Sequence, residues 1–525
     1  MPEYSLPAPT ILLTISSVAH RLLVTDAMLI GLLLLTILLG ISPQISAGES
    51  GPSGLYDVDY FKLENGFEVV LKKRTHARNV AVRLVVGVGQ RHFPCEKRET
   101  PHFLEHLLFM GTSKHSEAEL KRVIEDHGGS WNGSTSTTQT WYQIDIFDKH
   151  LPVAIDTLHE IMTDTVITPQ TIESSRAVIY RERRGIHLGL TRWLYRNGLF
   201  KSAGVKAREL LLPGTGVICP GLITPEGIIE ADVKEAYDAY YVPANMTLVV
   251  VGNFDRDEVA SQIKSTFGKL PPKAGNGSEL VTPPHMTGTK EVTGTLWPLV
   301  GADGEAGIGY RIDGITSPNY YPLWVLWKYS DRALYETFRV KEAMSYQPGS
   351  AFGGEHDYGI FVVGADVNLD KMDRALVLLE EEIEKLKQGR IEAEHLEAVK
   401  QRIVWELARS YESNSALAGY YISSLPQIKA NGRLINHEAS ITKVTPKDIQ
   451  RVANQYLRND SRVIARETPT MTFTQFFVGF GFITLAVPGA GFYLIRRVVK
   501  WRRRKTEVVT RNVEGKENSK VTIRD

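Results

Sequence analysis

The chain is 525 residues long, with 43% hydrophobic and 23% charged residues, which is typical of a globular protein with more than one domain. Its formal net charge of +1 gives no general attraction for nucleic acid, and no nucleic-acid partner is expected. The presence of only two cysteines, Cys95 and Cys219, excludes a disulfide-rich scaffold and a thiolate zinc cluster, but leaves one bridge or two free thiols open.

The amino-terminal segment contains a hydrophobic run over residues 27–41. Pro43 and the small residues Ser46, Ala47 and Gly48 follow this run, a pattern typical of a signal peptide cleaved after Ala47. An uncleaved signal anchor is the alternative. We therefore assign residues 1–47 to a signal peptide or signal anchor.

A first domain is expected over residues 48–270. Asn65-Gly66, within the alternating run 61–72, is a strong hairpin-turn signal. Ser116 and Glu119 form a capping box at the start of a second helix. The apolar patterns predict further elements, namely strands over 80–88, 138–146 and 247–251, and helices from Leu151, after Thr168-Pro169 and over 233–241.

The main chemical motif extends from Thr100 to His106. Thr100 is predicted to be a helix N-cap and Pro101 the first helical residue. His102 and His106 would then lie one turn apart on one face, where two imidazoles can bind one metal ion. Glu105 would lie beside that ion, close enough to take a proton from water as the general base of a zinc peptidase does. The order H-x-x-E-H is the reverse of the commoner H-E-x-x-H.

The motif also has a purely structural interpretation. An amphipathic helix without metal would bury four apolar residues and leave the polar ones outside: Phe103, Leu104, Leu107 and Leu108. The sequence around the motif alone leaves both interpretations open.

A third metal ligand is available on the helix after Thr168-Pro169. Ile172, Ser175, Ile179 and Glu182 are spaced along one continuous helical face. A carboxylate among apolar neighbours is costly unless it is paired or bound to metal, which makes Glu182 a candidate ligand. A solvent-facing Glu182 within the charged run 181–184 is equally compatible with the residues.

Residues 271–284, rich in proline and glycine, are typical of a linker. A second domain is expected over 285–468. Its predicted strands lie around 307–312 and 359–367, and its helices around 323–340, 372–388 and 393–410. The two halves share a mixed plan of strands and helices, which suggests a duplication although no sequence repeat is visible.

The carboxyl-terminal region contains twenty uncharged residues, 476–495, enough to span a bilayer. Seven arginines and lysines follow within residues 496–505, so the positive-inside rule places this end in the cytoplasm. We predict a transmembrane helix over 469–496 and a basic cytoplasmic tail over 497–525. A nucleic-acid role for the basic run is the weaker alternative.

With these features, residues from about 56 to 468 resemble the insulinase, pitrilysin and mitochondrial processing peptidase family of inverted-motif zinc peptidases. The resemblance implies that His102, His106 and Glu182 bind one Zn²⁺ per chain and that Glu105 is the general base. The segment Gly129-Ser130-Trp131-Asn132 resembles the family's edge strand, whose backbone pairs with an extended peptide. Gly129 and Asn132 are therefore expected to contact substrate.

The second half contributes a further part of the resemblance. Arg339 and Tyr346, seven residues apart, resemble the family's arginine and tyrosine that hold substrate and help to stabilise the oxyanion. Without the family match, they would be interpreted as a surface arginine and a half-buried tyrosine. One departure concerns the metal site: the family usually has a second glutamate where this chain has Ser175. Thr100-Pro101 also replaces the small residues common before the motif.

The resemblance implies an α+β fold of two homologous domains, each a mostly antiparallel sheet covered by helices, between the signal segment and the transmembrane helix. It also implies a zinc endopeptidase that hydrolyses short or unfolded peptides outside the cytoplasm, in a periplasmic or extracellular location. The alternative is a non-catalytic relative that serves as a membrane-tethered scaffold or binding subunit. Full-length family members join two such halves, and this chain holds one. A homodimer is therefore expected.

Overall fold

The computed structural model describes residues 53–182, 193, 201–213, 219, 225–275, 280, 282–295, 300–431 and 434–517. The predicted signal segment, residues 1–47, lies outside the described residues.

The first half contains eight described helices and six strands. In chain order these are α1 (Ser53–Tyr56), β1 (Asp59–Lys62), β2 (Glu68–Lys73), β3 (Asn79–Val86), α2 (Thr100–Phe109), α3 (Glu117–Glu125), β4 (Ser130–Thr135), β5 (Thr140–Phe147), α4 (Leu151–Thr163), α5 (Pro169–Glu182), α6 (Ala203–Leu211), α7 (Glu230–Tyr240), β6 (Met246–Gly252) and α8 (Arg256–Ser265).

The second half contains five strands and, in its described part, six α-helices before a long terminal helix. They are β7 (Gly288–Thr295), β8 (Asp303–Asp313), α9 (Tyr320–Leu334), β9 (Gly349–Gly354), β10 (Tyr358–Asn368), α10 (Met372–Lys387), α11 (Ala393–Ser410), α12 (Asn414–Asn431), α13 (His437–Thr442), α14 (Pro446–Tyr456), β11 (Ser461–Thr468) and α15 (Phe473–Glu517). A π-helical turn, Tyr335–Lys341, continues α9.

The two sheets have the same topology. The first is six-stranded with the order β1-β2-β6-β3-β5-β4, and the second is five-stranded with the order β7-β11-β8-β10-β9. In each sheet one pair is parallel, β2 with β6 and β7 with β11, and the other pairs are antiparallel. Apart from β1, the sheets match strand for strand in order and direction, which supports the predicted duplication.

The alternating side chains of β3 face two different layers. Val80, Val82 and Leu84 pack into the core between the first sheet and its own helices, which include α2 and α4. Ala81 and Val85 face the other way, into a cluster shared with the second half. There α12 lies against β3 and β6. The first sheet is therefore covered on one face by a helix of the second half.

The second sheet receives a helix in return. α6, which belongs to the first half, lies against β7 and β11 of the second sheet. Leu211 of α6 packs with Met286 and Val463 in a separate small core. The Lys206 ammonium donates to the Thr293 carbonyl at 2.6 Å. Each half thus covers part of the sheet of the other half.

Polar contacts between the halves accompany this exchange. The buried guanidinium of Arg83 donates to Asp145 Oδ1 at 2.8 Å and to Ser415 Oγ on α12 at 2.7 Å. Arg91 binds both carboxylate oxygens of Asp357, at 2.9 and 3.2 Å. Because both arginine side chains are only 2% exposed, these bonds satisfy charges that would otherwise be buried unpaired.

Several local predictions are confirmed. The hairpin pairs Lys62 with Glu68 across a turn in which Gly66 has a φ of +91°, a conformation that favours glycine. The capping box is present, since the Ser116 amide donates to Glu119 Oε2 at 2.9 Å. These signals depend on neighbouring residues alone, which is why the sequence is sufficient to predict them.

The predicted start of the motif helix is wrong by one residue. The N-cap of α2 is Glu99, Thr100 is the first helical residue, and Pro101 is the second. The Thr100 hydroxyl is buried and has no hydrogen-bond partner among the residues that the structure describes. Since the Thr100 backbone is already helical, its side chain does not cap the helix.

The predicted membrane segment, residues 476–495, lies within α15 (Phe473–Glu517) and is helical. Among the helices that the structure describes, none is both long and apolar enough to cross a membrane. The prediction of a transmembrane helix is therefore not confirmed.

Candidate metal and catalytic site

The apolar face of α2 fixes the position of the motif. Phe103, Leu104, Leu107 and Leu108 are fully buried against the first sheet. This burial is what the purely structural interpretation requires, but it leaves the two histidines at the edge of the core, with side chains 19% and 18% exposed. The packing of the helix is therefore compatible with both the structural and the metal-binding interpretations, because it buries the apolar residues and presents His102 and His106 together.

Helix α5 brings Glu182 to the same place. Ile172, Ser175 and Ile179 are buried, so the predicted face of α5 packs inwards and Glu182, at its end, reaches the histidines. The Glu182 Oε2 atom lies 3.3 Å from His102 Nε2 and 3.5 Å from His106 Nε2. The two Nε2 atoms are 3.1 Å apart. Hydrogen bonds to the histidines hold the pKa of Glu182 well below its usual range.

These three groups fit a zinc ion by the chemistry of their donor atoms. One ligand atom from each residue lies within 4.8 Å of the others, and no other group of three metal-binding side chains was found in the described part of the chain. Two imidazole nitrogens and one carboxylate oxygen form a donor set that catalytic zinc sites use, with a fourth position left for water or substrate.

A fourth residue, Glu99, contacts this group and was missed by the sequence interpretation. Its Oε2 accepts a hydrogen bond from His102 Nδ1 at 2.8 Å, and its side chain is fully buried. The spacing of three residues within one helical turn was a signal available in the sequence. The predicted motif begins at Thr100 and therefore excludes Glu99.

Glu105 lies beside the histidines in a more enclosed position. The residue is 9% exposed, and burial raises the pKa of its carboxyl group. Thr135 Oγ1 of β4 donates to Glu105 Oε2 at 2.6 Å, and this bond lowers the pKa of the carboxyl group by a smaller amount than burial raises it. A carboxylate with a raised pKa is a better proton acceptor near neutral pH, which suits a general base.

The edge strand β4 lies directly next to this carboxylate. A Cβ atom added to Gly133 would lie 2.7 Å from Glu105 Cγ, so the backbone of β4 approaches the base closely. Among the described strands, β4 pairs only with β5 and forms the edge of the first sheet. The predicted contact residue Asn132 is exposed on this strand. The other predicted contact residue, Gly129, directly precedes the first residue of the strand. An open edge of this kind can pair with an extended peptide.

The family assignment follows from two matches along the chain. The family model described as "Insulinase (Peptidase family M16)" matches residues 68–194, which contain the motif and Glu182. The model "Peptidase M16 inactive domain" matches residues 228–403. The chain belongs to the insulinase (M16) family of peptidases.

Individual relatives agree with this assignment. A probable mitochondrial-processing peptidase subunit beta from Arabidopsis thaliana is 29% identical over 43% of this chain, which spans 42% of that relative. An uncharacterized zinc protease, YmxG, from Bacillus subtilis is 24% identical over 68% of this chain and 85% of its own length. A protease from Helicobacter pylori has a similar structure, with a TM-score of 0.66 at 22% identity, covering 79% of this chain and all of that one.

The predicted substrate-binding residues Arg339 and Tyr346 lie in the second half of the chain. Arg339 is in the π-helical turn, and its guanidinium stacks over the Tyr346 ring at 4.2 Å and donates to the Tyr346 carbonyl at 2.7 Å. The Tyr346 residue is 68% exposed. Ala343, between them, has a φ of +46°, an uncommon conformation for a residue other than glycine. The pair therefore forms a constrained and accessible unit.

Asp366 on β10 anchors this unit and was also missed by the sequence interpretation. Its carboxylate accepts hydrogen bonds from the Tyr346 amide at 3.2 Å, from the Gln347 amide at 2.7 Å and from the Ser345 hydroxyl. Within the described residues, no hydrogen bond, ion pair or ring contact connects Arg339 or Tyr346 to His102, His106 or Glu182 of the same chain. The described residues thus show no direct contact between the two predicted parts of the site within one chain.

The two cysteines form a disulfide. Cys95 and Cys219 are bonded, with their Cα atoms 5.5 Å apart, which decides between the two alternatives that the sequence left open. Cys95 lies four residues before the N-cap of α2. The bridge therefore connects the segment that enters the motif helix to residue 219, 124 positions further along the chain.

Proposed function

We propose that this chain is a zinc endopeptidase that hydrolyses short or unfolded peptides. The observation that carries the proposal is the meeting of His102, His106 and Glu182 beside the buried carboxylate of Glu105. A metal ligand set next to a general base, both facing an open strand edge, is the arrangement that peptide hydrolysis by a zinc peptidase requires.

The residues of the first half would each have a distinct role. His102, His106 and Glu182 hold zinc, which when bound polarises the scissile carbonyl and lowers the pKa of water at the site. Glu105 takes the proton of the attacking water and can return it to the leaving amine. The edge of β4 aligns an extended peptide next to Glu105 by backbone hydrogen bonds.

Arg339 and Tyr346 would stabilise the oxyanion from a second copy of the chain. A cation and a phenol are suitable hydrogen-bond donors to a developing negative charge. Two observations support their action across a homodimer: Tyr346 is exposed on the second half with the Arg339 guanidinium stacked over its ring, and the pair makes no described contact with the metal ligands of its own chain. A two-fold pair would complete both sites with one repeated interface.

Mixing two inactive variants tests this arrangement. A Glu105→Gln chain is combined with a chain that carries Arg339→Ala and Tyr346→Phe. If the sites form between chains, a mixed dimer has one doubly defective site and one intact site, and activity returns toward half. If each chain supplies its whole site, mixing restores nothing and the homodimer proposal fails.

The proposed location is outside the cytoplasm, with the chain attached to a membrane through residues 476–495. The Cys95–Cys219 disulfide supports an oxidising compartment, because such bonds are rare in the reducing cytoplasm. Protease added outside intact cells or spheroplasts should digest the body of the protein and leave a short protected carboxyl-terminal piece. Complete protection of the body would reverse the proposed orientation.

The alternative function is a non-catalytic scaffold. The observation in its favour is Ser175, which is buried against Met110 Sδ at 3.4 Å where the family usually has a carboxylate. A peptide-digestion assay with metal analysis distinguishes the two functions. The peptidase binds about one zinc per chain and loses its turnover to a chelator. A chain that holds no zinc and cleaves no peptide would favour the scaffold.

A further inference from the structure

We propose that Glu99 is a positioning residue of the metal site, which holds His102 in the metal-binding orientation and supplies a buried negative charge beside it. The inference rests on the zinc site of the proposed function. It adds a residue that lies outside the H-x-x-E-H motif and that the sequence motif does not identify.

The hydrogen bond between the two residues fixes the tautomer of His102. Because a carboxylate oxygen can only accept, Nδ1 carries a proton that it donates to Glu99 Oε2 at 2.8 Å, so in the neutral imidazole Nε2 is the nitrogen whose lone pair is available to a metal ion. That Nε2 atom is the one that lies 3.1 Å from His106 Nε2 and 3.3 Å from Glu182 Oε2. Glu99 therefore directs the correct nitrogen of His102 toward the other two ligands.

The bond to His102 engages the carboxylate of Glu99, which is removed from solvent. Its side chain is fully buried, and a buried carboxylate is costly unless it is paired. Glu99 is the N-cap residue of α2, yet its side chain makes no capping hydrogen bond to the helix backbone. The carboxylate instead points to the imidazole three residues further on, while the positive end of the helix favours its charge.

Ser175 does not provide the corresponding charge from the other side of the site. It is fully buried on α5, but its hydroxyl contacts Met110 Sδ and carries no charge. Glu99 instead reaches His102 from the amino-terminal end of α2. In this chain a supporting carboxylate therefore comes from the start of the motif helix and not from position 175 of α5. Carboxylates that orient metal-binding histidines typically contribute 10–100-fold to metal affinity.

The test measures the zinc dissociation constant of the full chain by competition with a chelator of known affinity. Glu99→Gln removes the charge with little change in size, and should weaken zinc binding by roughly 10–100-fold. Glu160→Gln is the matched control, because Glu160 Oε1 accepts from His115 Nδ1 at 2.7 Å in a similar pair that touches no metal ligand. The control should bind zinc as the wild type does. Equal affinity in all three proteins, or an equal loss in both variants, overturns the inference.

A second measurement separates positioning from a purely structural role. The unfolding midpoint is determined with and without zinc, because a ligand that binds the folded state raises it. Glu99→Gln should reduce the rise caused by zinc. A variant that lowers both midpoints equally, and keeps the full rise, would show a structural role alone and contradict the inference.

A shorter carboxylate provides the test if Glu99→Gln does not fold. Glu99→Asp keeps the charge but withdraws it from Nδ1, and should weaken zinc binding several-fold. Zinc affinity equal to that of the wild type would overturn the inference. A wild-type chain that binds no zinc would instead overturn the proposed function, so the two failures are distinguishable.

Discussion

The hydroxyl of Thr135 is the hydrogen-bond donor that the described structure shows to Glu105, at 2.6 Å. Replacing it in Thr135→Val removes this bond but keeps the size of the side chain. The freed carboxylate should lose its alignment with the attacking water, and kcat should fall about 10-fold, as expected for a misplaced catalytic group. The zinc content should not change, since Thr135 touches no metal ligand.

The control is Thr163→Val, the same chemical change at an exposed threonine that bonds to the His159 carbonyl of its own helix. Steady-state peptide hydrolysis and metal analysis are measured for both variants. Unchanged kcat in Thr135→Val would show that Glu105 does not need this bond.

A second residue-scale prediction concerns His437, which is buried in an aromatic cluster with Nδ1 3.0 Å from the Tyr321 hydroxyl. Burial lowers the pKa of His437 to about 4. The unfolded state therefore binds a proton below about pH 6.5, whereas the folded state does so only near pH 4. Stability should fall as the pH decreases through this window, by about 2 kcal/mol between pH 7.5 and pH 5.

The free energy of unfolding at the two pH values is compared for the wild type and His437→Asn. The substitution can change the free energy of unfolding at both pH values. The decrease in that free energy between pH 7.5 and pH 5 should nevertheless be smaller in His437→Asn than in the wild type, by about 2 kcal/mol. His76→Asn, at an exposed histidine, is the control and should behave as the wild type does. The same decrease in all three proteins would exclude His437 as the source.

The sequence was sufficient to predict which residues meet at the site but not the contacts that support them. The motif spacing named His102, Glu105 and His106, the family resemblance added Glu182, and the structure brings them together. The bond from Thr135 to Glu105 joins residues 30 positions apart, and no local pattern reveals it. The N-cap prediction failed because propensity favours threonine over glutamate at that position, whereas the helix begins one residue earlier.

At the scale of an element, the segment with Arg339 and Tyr346 depends on Asp366 of the neighbouring strand β10. Asp366→Asn removes the charge that receives two backbone amides and a hydroxyl. The segment should become more mobile, and kcat/KM should fall about 10-fold, which corresponds to the loss of one charge-assisted hydrogen bond. Zinc affinity should not change.

Peptide hydrolysis and zinc binding are measured in parallel for this variant. The control is Asp370→Asn, at an exposed aspartate just beyond the end of the same strand. A loss of zinc in Asp366→Asn would contradict the independence of the metal site from the segment with Arg339 and Tyr346. Full activity would show that Asp366 is not needed.

Prediction of the elements depended on how regular each pattern was. The helices α10 and α11 and the strand β10 have clear periodicity and were predicted close to their bounds, whereas β8 begins four residues before its predicted start. The edge strands β7 and β9 were missed. β7 is mostly exposed and polar, and three of the six residues of β9 are glycine, so neither shows alternating hydrophobic residues. Hydrogen bonds to the neighbouring strands, and not a pattern within β7 and β9, therefore determine that these segments form strands.

For the whole molecule, the exchange of α6 and α12 joins the two halves. The first half alone would expose the apolar residues of the first sheet that α12 covers, which include Ala81 and Val85. It would also lose the bond between Arg83 and Ser415. A fragment of residues 53–275 should therefore bind a hydrophobic dye strongly or aggregate.

Adding the second half, residues 282–468, to the same cells should restore a soluble complex that binds little dye. Dye fluorescence and sedimentation of the fragment, with and without its complement, measure this. A monomeric fragment with cooperative unfolding and no dye binding would contradict the mutual dependence of the halves. The duplication suggested by the sequence did not reveal this exchange, because contacts between distant helices leave no periodic pattern.

The central claim is that a zinc ion bound by one chain works with Glu105 as general base. The most direct test measures zinc content and peptide hydrolysis on the same samples of wild type, Glu105→Gln and the control Glu125→Gln at an exposed residue of α3. Glu105→Gln should keep about one zinc per chain but lose turnover by about 10²–10⁴-fold, as expected without a general base. The control should retain both. Turnover like that of the wild type in zinc-loaded Glu105→Gln would contradict the assignment.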